Sequence, residues 1–100
     1  MTMDYQLAKE LKNAGFPQVG KGTLIYPLDA LVTRSSDRVY APTLEELIEA
    51  CGRQFETLSR DESQWIAQGH NKDIYASSGF TPAEAEARLW LALNPKTMVE

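Results

Sequence analysis

Residues 73–94, DIYASSGFTPAEAEARLWLALN, decide how this chain is read. They read as a short strand, a tight connection and one strongly capped helix. Thr81 is an N-cap residue whose hydroxyl can accept from an orphan N–H of the first turn. Pro82 follows at the first helical position, where its missing N–H costs nothing. Glu84 completes a capping box with Thr81, and Phe80 against Ala85 would make a small hydrophobic staple. At the far end Asn94 suits a left-handed C′ position and Pro95 forbids continuation. Between these ends Ala85, Leu89, Ala92 and Leu93 share one face, and Trp90 and Leu91 widen it to most of the circumference. The helix is expected to be buried on more than one side towards its C-terminal end. Glu84 and Arg88 are spaced for an i,i+4 pair on the polar side.

A helix this apolar needs cover, and the residues before it offer a sheet. Residues 64–68 (QWIAQ) and 73–77 (DIYAS) are strand-like runs. Gly69, His70, Asn71 and Lys72 join them with a hairpin-type turn composition. Residues 54–60 read as a further strand, where the three-residue spacing of Phe55 and Leu58 implies a bulge or a late start. Asp61, Glu62 and Ser63 then form a turn. Upstream, Thr43 caps a helix with Glu46 as capping-box partner; Leu44, Leu47, Ile48 and Cys51 form its apolar stripe, and Gly52 stops it. From residue 43 the order is helix, strand, strand, strand, helix. Such short connections favour an antiparallel sheet. The expected fold class is α+β: a small antiparallel three-stranded sheet with helices on one face, an α-β-β-β-α core over 43–94, plus an N-terminal helix.

That N-terminal helix spans residues 4–14. Thr2 or Asp4 can cap it, and Leu7, Ala8, Leu11 and Ala14 form its stripe. Gly15 is a good C′ residue, Phe16 can then touch Leu11, and Pro17 blocks continuation. Glycine, proline and serine punctuate residues 18–41, where a small hairpin or ordered coil is expected, with strands over 23–26, 30–33 or 38–40.

A chain of 100 residues is expected to be one domain, and 43% hydrophobic with 24% charged side chains is a globular composition. The single cysteine, Cys51, allows no internal disulfide, which favours a reducing setting. The first residues lack the basic-then-apolar pattern of a signal peptide, and no apolar run approaches a membrane span. The cytoplasm is the expected location, with no membrane partner. The net charge of −4 is uneven: residues 1–42 carry +1 and residues 43–100 carry −5. An acidic C-terminal part is a poor footprint for nucleic acid.

Two resemblances add to this reading. The element order from residue 43 resembles the double-stranded-RNA-binding domain. That resemblance implies RNA contacts on the first helix, the first strand-strand loop and the start of the last helix. Here those places hold Glu45, Glu46 and Glu49; Asp61 and Glu62; and Glu84 and Glu86, where phosphate contact needs Lys or Arg. Residues 42–52 (PTLEELIEACG), 81–94 and 7–17 are also similar to segments of small phage- and prophage-encoded proteins of unknown function. This similarity implies a bacterial virus or integrated phage as source, hence a bacterial host cell, and implies no activity.

No catalytic, cofactor-binding or metal-binding residue set emerges. Cys51 and His70 could form a nucleophile pair, but Cys51 lies on an apolar stripe, where a free cysteine behaves as a small hydrophobe. His70 with Asp73 could belong to a triad or metal site, yet one histidine without a second sulfur ligand argues for a solvated turn. Arg34 and Arg38 flank Ser35, Ser36 and Asp37, a solvated loop that could hold an anion. Gly20, Lys21, Gly22 and Thr23 lack the spacing of a phosphate loop. Trp65 and Tyr75 remain. They alternate with Ile66 and Ile74, so if the isoleucines face the helices, both aromatics lie on the opposite sheet face as a partner surface. The expected function is that of a non-enzymatic protein-interaction module, needing no cofactor, whose partner is an unknown protein or a second copy. The alternative is a divergent nucleic-acid-binding module.

Overall fold

The computed structural model describes residues 3–26 and 38–94. The strand considered over 30–33 lies outside them, as do Thr2, Arg34 and Pro95. Helix α1 is Tyr5–Asn13. Asp4 caps it, accepting from the Leu7 N–H at 3.2 Å. It closes in a Schellman turn: Phe16 N–H donates to the Leu11 carbonyl at 2.9 Å, Gly15 N–H donates to that of Lys12 at 3.0 Å, and Gly15 takes φ 96°. Phe16 is thereby turned into the core beside Leu11. The punctuated stretch that follows contributes two paired strands among its described residues. Strands β1 (Thr23–Ile25) and β2 (Val39–Ala41) pair antiparallel, with Leu24 opposite Tyr40.

Helix α2 is Leu44–Cys51, with both halves of the Thr43–Glu46 capping box in place and Gly52 at its C-cap with φ 58°. A single 3₁₀ turn, Gly52–Gln54, leads into β3 (Phe55–Asp61), β4 (Gln64–Asn71) and β5 (Asp73–Gly79). They form an antiparallel meander in the order β3-β4-β5. The ladder shifts register between Phe55 and Thr57, the irregularity anticipated by the spacing of Phe55 and Leu58. Helix α3, Pro82–Leu93, completes an α+β fold.

Several local expectations are corrected. Gly69, His70 and Asn71 are strand residues, and Lys72 alone, at φ 75°, separates Asn71 from its partner Asp73. Gly69 is required by close approach rather than by a turn: a Cβ there would lie 2.4 Å from the Gln54 carbonyl oxygen. Gly69→Ala is therefore expected to cost about 1–3 kcal/mol, because backbone must move to admit the methyl. A urea midpoint unchanged from the parent protein would refute this. Phe80 is exposed and makes no staple. The Glu84 carboxylate accepts from the Phe80 N–H at 3.1 Å, so only the Thr81 half of the second capping box forms. Arg88 donates to the Ser78 carbonyl at 2.7 Å in place of a pair with Glu84. Asn94, at φ −128°, ends α3 through its side-chain amide, which donates to the Trp90 carbonyl at 3.0 Å.

Helix α3 packs on β5 and β4, and α2 and α1 pack on α3, so all three helices lie to one side of the meander. This is why α3 is buried almost all round: Ala85, Glu86, Ala87, Leu89, Trp90 and Leu93 are each enclosed. Under α3 the sheet carries small residues. Ala67 is fully buried, and a Cβ on Gly79 would lie 2.7 Å from the Ala85 nitrogen. Trp90 meets Phe16 edge-on at 5.0 Å between ring centroids, joining α3 to the end of α1.

Candidate interaction surface

The two faces of the meander are the reverse of the sequence expectation. Trp65 and Tyr75 lie on the helix side, half-buried against the core, while Ile66 and Ile74 point away from it. The cause is the spacing of small residues. A helix can approach the sheet closely only over Ala67, Gly69 and Gly79, which share parity with Trp65 on β4 and Tyr75 on β5. Trp65 sits opposite Gly79 and Tyr75 opposite Gly69, so each aromatic is paired across strands with a residue that has no side chain. The Arg60 guanidinium stands 6.0 Å from the Trp65 ring centroid at the margin of this layer.

The opposite face is laid out by the register. One row runs Ser59, Ile66, Ser78; the next runs Thr57, Gln68, Ala76; His70 and Ile74 form a third. Thr57 donates to the Gln68 side-chain oxygen at 3.0 Å, and His70 Nδ1 meets a Glu56 carboxylate oxygen at 2.6 Å. Both members of that last pair are about half exposed. Ile74 is 76% exposed, and Ile66, two rows away on β4, is half-buried. Among the described residues no helix or strand covers this face. It is mostly neutral, with Ile66 and Ile74 in its outer rows, the Thr57–Gln68 pair between them and one charged corner at His70 and Glu56.

The other candidates are dispersed. Cys51 is buried in the core, whereas His70 is exposed on β4 and pairs with Glu56 rather than with Asp73. Burial, then the neighbouring Glu86, pushes the Cys51 thiol up to about 12, so it is no nucleophile near neutral pH. Arg38 is exposed. Among the described residues no three His, Cys, Asp or Glu side chains gather as metal ligands, and no helix is long and apolar enough to cross a membrane. A groove of about 640 Å³ along α2 is lined by Lys21, Glu45, Glu46 and Glu49, among others.

Glu46 does more than cap a helix. One carboxylate oxygen accepts from Thr43 N–H at 2.9 Å and from the Tyr40 hydroxyl at 2.6 Å, and the other accepts from Lys21 N–H at 2.9 Å. Tyr40 in turn accepts from Gly22 N–H at 2.6 Å, and its own N–H donates to the Gln18 side chain at 3.0 Å. The Tyr40 hydrogen bond, followed by those from the backbone, holds the Glu46 carboxyl below its ordinary value. These bonds tie residues 18–22, β2 and α2 together. Only the capping half of this arrangement had a signal in the sequence.

Fold and surface together define a class: an α+β protein whose antiparallel meander is helix-covered on one face and, among the described residues, uncovered on the other. Comparisons with protein-family models, with curated proteins and with solved structures found no match.

Proposed function

We propose that this chain is a non-enzymatic protein-binding module of the kind encoded by phages and prophages, acting in the cytoplasm of a bacterial host. It binds a second protein, or another copy of itself, through the sheet face that points away from α3. The observation that carries this reading is Ile74, three-quarters exposed on β5 at the hairpin end of a sheet face uncovered by any described element. A largely neutral face with an exposed isoleucine suits a protein surface better than a polyanion.

The nucleic-acid alternative takes its support from the helix-strand-strand-strand-helix order. Against it stand the exposed acidic side chains Glu45, Glu49, Asp61 and Glu62 at places where that reading needs cations. Of the other acidic positions, Glu46 is occupied internally and Glu86 is buried.

The test is affinity capture from a bacterial lysate with and without nuclease, using the parent protein and Ile74→Lys. The substitution is expected to change stability by less than about 0.5 kcal/mol, since the side chain is exposed. It should abolish capture of a nuclease-resistant partner. Partners that disappear with nuclease would favour the nucleic-acid reading. A partner retained by Ile74→Lys would remove the open face from the proposal.

A further inference from the structure

Glu86 is a carboxyl group placed where a charge has no outlet. It is fully buried, and among the described residues neither of its oxygens meets a hydrogen-bond donor. It stands four residues before Trp90 and seven before Leu93, so the helix carries it into the same packed layer. The Cys51 thiol of α2 is the titratable neighbour that acts on it, but it does so outside hydrogen-bonding geometry and is at best a weak donor. Burial pushes the Glu86 carboxyl above its ordinary value, and the thiol offsets only part of that. Because the thiol is itself pushed up to about 12, the pair holds no thiolate.

Among the described residues no charge on the surrounding elements compensates. On α1, Lys9, Glu10 and Lys12 are exposed; on α2, Glu45 and Glu49 are exposed and Glu46 is committed to Tyr40, Thr43 and Lys21. On α3 itself Glu84 is bonded to Phe80 and Arg88 to Ser78. His70 of β4 and Asp73 of β5 are exposed. An ionised carboxylate without donor or cation is far costlier in an interior than the neutral acid.

We infer that the packing of α2 on α3 is a proton-dependent clasp, closed while Glu86 is a neutral acid and loosened when it loses its proton. The inference does not depend on what the open sheet face binds. A carboxyl whose folded value is raised contributes stability that is fully present below the ordinary value of 4.5 and is lost as pH rises through the folded value.

Chemical denaturation of the parent protein and Glu86→Gln, from about pH 4.5 to 8, tests it. The amide is a neutral isostere that cannot ionise. The folding constant of the variant relative to the parent should rise by about tenfold per pH unit between 4.5 and the folded value. A ratio independent of pH would overturn the proposal. Amide exchange in α2 should quicken with pH in the parent beyond its rise in the variant, and equal exchange would overturn the clasp. If Glu86→Gln does not fold, ¹³C titration of Glu86 in the unaltered protein decides. A midpoint above that of the exposed glutamates is expected, and one at or below 4.5 overturns the proposal.

Discussion

Replacing Trp90 by alanine is expected to cost about 3–5 kcal/mol, the usual range for truncating a buried tryptophan. A domain of this size has about 5–15 kcal/mol of total stability, so the variant should be largely unfolded or close to it. The reason lies in what the indole joins. Trp90 is 8% exposed and meets Phe16 edge-on, and Phe16 is itself held in place by the Schellman turn that ends α1. Truncation therefore empties the layer between α3 and α1 rather than trimming a surface. Trp90→Phe keeps an aromatic in contact with Phe16 and should lose less than half as much. Urea denaturation followed by circular dichroism measures both. A loss below about 1 kcal/mol for Trp90→Ala would mean that α1 does not depend on this contact.

The second large effect concerns Glu46. Glu46→Ala removes the acceptor for Tyr40, Thr43 and Lys21 at once. Hydrogen bonds to a charged group contribute about 1.5–3 kcal/mol each, and a capping interaction about 1 kcal/mol. They share one carboxylate and do not add, so the expected loss is about 2–4 kcal/mol. Amide protection at Lys21 and Gly22 should fall together, because Gly22 N–H depends on a Tyr40 hydroxyl that Glu46 orients. Burial and then the Glu46 bond raise the Tyr40 phenol, which stays a donor at neutral pH. The pH dependence has a definite sign. Because the Glu46 carboxyl is lowered, its contribution is fully present above 4.5 and is lost as pH falls through its folded value. Glu46 and Glu86 therefore act in opposite directions, one weakening the fold in acid and the other as pH rises. A parent protein whose advantage in stability over Glu46→Ala does not shrink as pH falls below 4.5 would refute the Glu46 part.

The open sheet face and Glu86 differ in how far they could be read in advance. Trp65 alternates with Ile66, and Tyr75 with Ile74, so a period of two gives each face one large apolar residue per strand. Hydrophobicity cannot choose between them. The choice came from Ala67, Gly69 and Gly79, small residues that admit a helix at close range. That signal is present in the chain but acquires meaning only once α3 lies on β4 and β5. Glu86 is a different case. Its spacing from Trp90 and Leu93 places it on the buried stripe, but its charge argues for the surface, and α3 is enclosed on so many sides that the charge loses.

Local chemistry by itself determined the helices and their ends. Asp4, Thr43 and Thr81 supply side-chain oxygens to orphan N–H groups, while Gly15 and Gly52 accept positive φ. Those are interactions within a few residues, and the chain order spells them out. The antiparallel meander followed from the short connections between its strands. Tertiary structure decided which sheet face the helices cover, the bonds that gather Gln18, Lys21, Tyr40 and Glu46, and the enclosure of Glu86 beside Cys51. Each joins parts of the chain that are distant in sequence, so the energy belongs to the packed arrangement and to no single segment.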